Sequence, residues 1–378
     1  MTETILTNAT LILPTEIVQG SLVIRDGVIA EIQHGRSHAA GAIDLDGDYL
    51  MPGVVDVHTD NLERQVEPRA AARWPSRSAM LAHDAQCAAA GVTTVLDALC
   101  LGDLGFEKER VKTFRDAVVD LDALAPTGLL KSDHYLHLRC ELPALDMMEL
   151  VDPVADHPLV RMVSLMDHSP GVGQYANMDR YRAMRRRGGM HDEEIERRIN
   201  HLLDQRARTR DPNRRALLAR VKHLGVALAS HDDRTEEEID ENFRDGIMIS
   251  EFPVAMEAAN AARAKGMEII AGAPNIVRGG SHSGNIAAAD LVRAGKVDVF
   301  ASDYVPAALV EAAFICADIT GVSLPEAVGF ITDRPARMSG LPDRGRLAAG
   351  LRADLVRVRL HHGQAVIRQV WCTGERVA

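Results

Sequence analysis

His58 and Asp60 stand two residues apart at the end of an apolar run, GVVDVHTD, at residues 53–60. If that run is a strand, its period-two alternation puts both side chains on one side. An imidazole and a carboxylate at one point make a good fragment of a divalent-metal site. An HxD pair alone is common and says little. Its weight comes from what other apolar runs end in: Glu141, then Asp167-His168, then His231-Asp232-Asp233, and finally Asp303. Isolated histidines and acids mostly cap helices, meet backbone groups or face solvent. That covers most of the 15 histidines of this chain, but poorly covers a set that recurs at run ends. His58, Asp60, Glu141, His168, His231 and Asp303, gathered at one mouth, could hold one or two divalent ions. Two ions suit phosphoryl or acyl hydrolysis, because they acidify a water and polarise the scissile bond. Asp303, a potential ligand and a base at once, is then the natural catalytic proton shuttle.

Such a set has to be positioned by repeated strands. Eight short apolar runs, at 53–60, 93–99, 134–141, 159–168, 225–233, 246–252, 267–275 and 297–304, end in polar residues and are followed by helix-like stretches. This alternation predicts an α/β chain with a (β/α)8 TIM-like barrel, whose active groups sit at the C-terminal strand ends. The flanks read differently. Residues 1–50 and 341–378 are strand-like runs punctuated by Gly, Asp and Asn, with RDG at 25–27 as a hairpin turn. They predict one small β-sandwich domain made from both ends, around a barrel domain at 51–340. Residues 177–223 break the rhythm as an Arg-rich helical insertion. Its arginines pair with neighbouring acids on a solvated surface, or else it is a lid or subunit contact that meets an anion.

The formal net charge of −11 makes nucleic acid and anionic membranes poor partners. It does not exclude an anionic small-molecule substrate, because local cations or a metal outweigh a distant field at contact range. No apolar run reaches membrane-spanning length. The start, MTETILTNATLIL, lacks a basic leader and a cleavage site, and five scattered cysteines suggest free thiols. A cytoplasmic enzyme is expected, with a homodimer as the commonest oligomer.

After the seventh run, residues 276–285 (IVRGGSHSGN) open a helix. Gly-rich backbone at a helix start offers N–H donors to an anion, and Arg278, Ser281 and His282 can add side-chain donors. A plain connecting loop with a capping serine is the alternative. Asn61 and Arg64, just beyond the first-run pair, are further candidates for holding substrate. His83 and Asp84, on the next helix, fit a supporting role.

The opening MPGVVDVHTD resembles the PGxxDxHxH opening of the amidohydrolase superfamily, with Asp60 in place of its second histidine. GRLAAGLRADLVRV near the C-terminus resembles the return of that superfamily to its small sheet domain. Within it, VDVHTDNLERQVEPR, AHDAQCAAAGVTTVLDAL, LHLRCEL, SLMDHSPGVGQY, APNIVRGGSHSGNI and ASDYVPAAL are similar to a narrower family. These are the diphosphatases of the carbon–phosphorus lyase pathway, which act in phosphonate catabolism. The resemblance implies hydrolysis of α-D-ribose 1-methylphosphonate 5-triphosphate to the 5-phosphate and pyrophosphate, and a functional link to other enzymes of that pathway. It implies one or two divalent ions, zinc first, with manganese or iron as alternatives. His58 and Asp60 match the first-strand ligand pair, and Glu141 the carboxylate that replaces a carbamylated lysine. His168 and His231 match the later histidines, and Asp303 the eighth-strand aspartate. It also favours a phosphate role for the loop after the seventh run. An amidohydrolase that cleaves a C–N bond, such as a deacetylase, cyclic amidase or deaminase, is the competing reading, since the same centre serves either chemistry.

Overall fold

A computed structural model describes residues 3–69, 72–105, 108–281 and 284–378. Eight parallel strands follow one another as neighbours: β1 (Val54–Thr59), β2 (Val92–Leu101), β3 (Asp133–Glu141), β4 (Val160–Met166), β5 (Ala227–His231), β6 (Ile249–Glu251), β7 (Glu268–Gly272) and β8 (Val299–Ala301). They coincide with the eight runs expected from sequence. β1 and β2 are buried along their whole length, as parallel strands covered on both faces must be.

The sheet closes at a seam between β1 and the segment after β8. The Asp303 amide donates to the His58 carbonyl (3.0 Å), and the Asp60 amide donates to the Asp303 carbonyl (2.9 Å). Below these bonds, buried Asp56 accepts from the Ser302 amide at 3.1 Å. Closure therefore carries His58, Asp60 and Asp303 to the same point on the rim.

The lumen is filled, not hollow. Val57, Leu96, Met162, Ala229, Ile249, Ile270, Val299 and Ala301 form one buried cluster inside the ring, so chemistry is confined to the mouth. A larger apolar layer packs the strands against the surrounding helices. The two chain ends build a separate, mostly antiparallel eight-stranded sheet, in which Tyr49–Pro52 pairs with Leu355–His361. That sheet has its own core, including Leu6, Leu11, Leu22, Leu50, Leu355 and Trp371.

The stretch 177–223 contains two helices, Met178–Arg187 and Asp192–Val221. Glu193 and Arg197 form the local i,i+4 pair expected on an exposed face, while the opposite face of the second helix is docked. Gln205 and Thr209 donate to the Pro143 carbonyl, each at 2.8 Å, and Asn213 donates to the carbonyls of Leu142 and Ala144. Arg206 pairs with Asp167 at 2.6 Å, and Arg214 with Asp245 at 2.7 Å. The helix braces the loops that follow Glu141 and precede His168. Among the described residues, no helix is long and apolar enough to cross a membrane. All five cysteines are buried thiols.

Candidate metal centre

Three histidines at the mouth share one arrangement. Nδ1 of His58 and Nδ1 of His231 each lie 2.7 Å from a different oxygen of Glu251, at the end of β6. Nδ1 of His168 lies 2.6 Å from Glu141, at the end of β3. A carboxylate can only accept, so each Nδ1 carries a proton, and Nε2 is the nitrogen that can turn to a metal. Carboxylate–histidine pairing of this kind is how proteins orient metal-binding imidazoles.

The Nε2 atoms of His168 and His231 fit a shared ion. His168 Nε2 stands 3.9 Å and His231 Nε2 stands 3.8 Å from Oδ2 of Asp232. These spans are too long for hydrogen bonds. They suit ligands that each approach one ion at about 2.0–2.2 Å. Asp232 Oδ2 and His58 Nε2 are both buried without a hydrogen-bond partner among the described residues. Potential ligand atoms of His58, His231 and Glu251 lie within 4.8 Å of one another, as do those of His168, His231 and Asp232. The donor set, imidazole nitrogens with carboxylate oxygens, is that of a divalent transition-metal site.

Burial is the largest influence on His58 and pushes its pKa down to about 4, so its imidazole is neutral near pH 7. Burial also opposes charge on His231, but Asp232 and Glu251 outweigh it and raise its pKa. Glu251 is held well below the usual carboxylate range: His58, His137 and the hydrogen bond from His231 overcome its burial. Burial, then the charge of Asp60, raises Asp303 to about 7. Asp232 and Asp303 both have left-handed backbones, with φ of 59° and 55°. This costs a non-glycine residue about 1 kcal/mol or more and clusters at functional sites.

Above these groups lies a cavity of about 400 Å³. Asp60, Glu141, His168, His231, Asp232 and Asp303 line it, with His58 buried just behind. Its walls carry Arg110, Arg139, Arg185 and Arg278, with Ser281, Tyr175 and Tyr304. Arg185 comes from the helix Met178–Arg187, so that stretch does deliver a cation to the mouth.

Several expectations need correcting. Glu141 faces the cavity, but both its oxygens accept from His168, one from the backbone amide at 2.8 Å and one from Nδ1. Each oxygen keeps a second lone pair that an ion could use, so these bonds orient Glu141 without removing it from the candidate ligands. Asn61 does not line the cavity. It is buried, and its amide donates to His83 (2.9 Å) and Gln86 (3.0 Å), because the helix Asn61–Val66 turns that side towards the helix Ser76–Ala89. Arg64 is exposed and donates to the Tyr304 carbonyl at 3.0 Å, so it braces the loop after Asp303. Arg278 and Ser281 do line the cavity. His282 lies outside the described residues. His83 and His134 bond opposite oxygens of Asp97, at 2.7 and 2.8 Å, in a buried network with the helix Ser76–Ala89.

Sequence reasoning missed Glu251, Asp232, Arg139, Arg110 and Arg185. Glu251 ends a predicted strand and Asp232 follows His231, so an inventory of every strand end finds both. Arg139 is two residues before Glu141 and shares its face of β3. Asp233, the third acid of its run, is structural. It accepts from Ser250 at 2.6 Å and Asn242 at 2.8 Å, and burial raises its carboxyl to about 6.

An eight-stranded parallel barrel with a second sheet from both chain ends has counterparts among solved structures. Solved structures of this fold include a 5-methylcytosine deaminase from Klebsiella pneumoniae, with a TM-score of 0.67 and 18% identity, covering 99% of this chain and 98% of that one. The dihydropyrimidinase of Brevibacillus agri NCHU1002 matches with a TM-score of 0.65 and 14% identity, over 99% and 95% of the two chains. The N-acetyl-D-glucosamine-6-phosphate deacetylase of Mycobacterium smegmatis gives 0.64 and 17%, over 99% and 100%. No protein-family model matches the chain. Over 376 residues, 99% of this chain and 100% of the relative, it is 40% identical to the alpha-D-ribose 1-methylphosphonate 5-triphosphate diphosphatase of Escherichia coli (strain K12). The chain belongs to that diphosphatase family.

Proposed function

We propose that this protein hydrolyses α-D-ribose 1-methylphosphonate 5-triphosphate to the 5-phosphate and pyrophosphate, as a divalent-metal enzyme of phosphonate catabolism. The observation that carries this reading is that the cavity over the histidine–carboxylate cluster also holds Arg110, Arg139, Arg185 and Arg278. A neutral amide has no need of so many guanidinium groups. A triphosphate with a phosphonate does, because arginine matches phosphate oxygens with paired donors.

His58, His168 and His231 would hold the ion through Nε2, with Asp232, Asp60 and Asp303 as the carboxylates facing it. Glu251 and Glu141 would fix the imidazoles. A bound divalent ion supplies Lewis acidity and acidifies a water. Zinc suits the imidazoles, and the carboxylates keep manganese and iron in play. Asp303 would take the proton of the attacking water. Arg278, Arg185 and Ser281 would hold the phosphates, so that the departing pyrophosphate leaves as a neutralised group.

The test is pyrophosphate release by purified protein supplied with zinc or manganese. Release from this triphosphate, with no ammonia or carboxylate released from amides, is the expected result. No pyrophosphate with either metal overturns the reading.

A further inference from the structure

Arg139 occupies an unusual place. It sits on β3 two residues before Glu141, so its side chain points into the mouth of the barrel. It is only 6% exposed. Its Nη1 lies 3.7 Å from Oδ2 of Asp60, which is too far for a hydrogen bond. Neither Nη1 nor Nε has a hydrogen-bond partner among the described residues. A buried guanidinium with two open donors is costly unless something accepts from it. Arg110, paired with Glu63 at 2.6 Å, stands on the same wall, 4.0 Å from the same Asp60 oxygen.

The cation also lies among groups that would face a divalent ion, since Arg139 lines the same cavity as His168, His231 and Asp303. Two cations so close repel each other unless an anion lies between them. Asp60 is that anion on one side. On the open side the natural anion is a phosphoryl oxygen, which would satisfy the ion and the idle donors together.

We propose that Arg139 is a catalytic residue, whose guanidinium, anchored beside Asp60, takes a non-bridging oxygen of the phosphoryl group under attack. This rests on the diphosphatase reading above. In the step it serves, the oxygen of water bonds to phosphorus while the bond from that phosphorus to the α–β bridging oxygen breaks. The bonding pair leaves on the bridging oxygen, and the water proton passes to Asp303. Arg139 neither gains nor loses a proton. It neutralises charge that builds on the non-bridging oxygens as the bonds exchange. Lysine in its place would bring charge without the planar pair of donors.

The experiment uses the full-length, metal-loaded enzyme with Arg139→Ala and Arg139→Lys. Metal per chain, kcat and KM on the triphosphate, and pyrophosphate affinity are measured, with and without millimolar guanidinium. For Arg139→Ala the expected result is wild-type metal content, a kcat lower by about 10²–10³-fold, and partial rescue by guanidinium that the wild type does not show. Activity within a few-fold of wild type overturns the proposal. So does a loss of metal together with activity that guanidinium does not restore, because Arg139 is then only a counter-ion for Asp60. If Arg139→Ala fails to fold, Arg139→Lys decides: at wild-type metal content it should lose at least about tenfold in kcat, and unchanged kcat overturns the role. A wild type that releases no pyrophosphate removes the diphosphatase reading instead. Pyrophosphate binding then tests Arg139 separately: binding by the wild type weakened at least tenfold in Arg139→Ala supports it, and equal affinity sinks it.

Discussion

Glu251 places one carboxylate oxygen 2.7 Å from Nδ1 of His58 and the other 2.7 Å from Nδ1 of His231. One side chain thus sets the tautomer of two imidazoles from different strands. Glu251→Gln keeps the shape but replaces one acceptor by an NH2 donor. One of the two histidines must then accept at Nδ1 and present N–H at Nε2, where it cannot ligate. Metal affinity should fall by about 10–100-fold, measured by competition with a chromogenic chelator. An unchanged dissociation constant sinks this role.

His58→Ala removes an Nε2 that has no other partner among the described residues. Elemental analysis of purified protein should find one or two equivalents of divalent metal in wild type, and a marked loss in the variant. Asp303→Asn should keep most of the metal and lose about 10²–10⁴ in kcat, the usual worth of a positioned general base. Equal metal content in wild type and His58→Ala would mean that the ion sits elsewhere.

Two residues expected to hold substrate should now part company. Arg278 lines the cavity, while the Asn61 amide is spent on His83 and Gln86. Arg278→Ala should raise KM for the triphosphate about tenfold or more, as loss of a charge-assisted bond implies. Asn61→Ala should leave KM within about twofold and lower the melting temperature, because it strands a buried His83 nitrogen. A raised KM in Asn61→Ala alone would reverse the assignment.

The buried pair His134–Asp97 gives a pH signature of stability. Burial opposes the charged form of His134, but Asp97 and Asp84 outweigh it and raise its pKa. Its stabilisation is complete below the unfolded value, about 6.5, and is lost as pH rises through the folded one. Burial opposes charge on Asp97 too, but His134 and His83 outweigh it and hold its carboxyl low. That contribution is present above the ordinary carboxylate range and is lost only in strong acid. The stability gap between wild type and His134→Gln in urea titrations should therefore be widest near pH 6. It should narrow by about 1 kcal/mol or more by pH 10. A gap independent of pH would show that the pair is not ionised in the folded protein.

Most of the frame was legible because parallel barrel strands are short, apolar and end in polar residues. The strand ends that carry His58, Asp60, Glu141, His168, His231 and Asp303 are legible for that reason; five of the six line the cavity and His58 is buried behind it. Asn61 and Arg64 misled because their direction depends on the phase of a short helix that no periodicity fixes. The pairing of Arg206 with Asp167 and of Arg214 with Asp245 joins residues far apart in the chain, which local spacing does not reveal. Local Glu–Arg spacing does describe the exposed face, where Glu193 pairs with Arg197, and tertiary pairing adds a brace on the other. Arg139 escaped because it sits inside an apolar run, where only alternation from Glu141 points to the mouth.

The seam between β1 and β8 has a consequence for the newly made protein. His58 and Asp60 lie early in the chain, yet their carbonyl and amide are bonded to Asp303, which is synthesised last of the cluster. During translation the first half of the mouth exists without its closing residue. Asp303 joins His58 and Asp60 only when the eighth strand docks against the first. A chain that ends before the eighth strand therefore lacks the backbone bonds that tie His58 and Asp60 to Asp303.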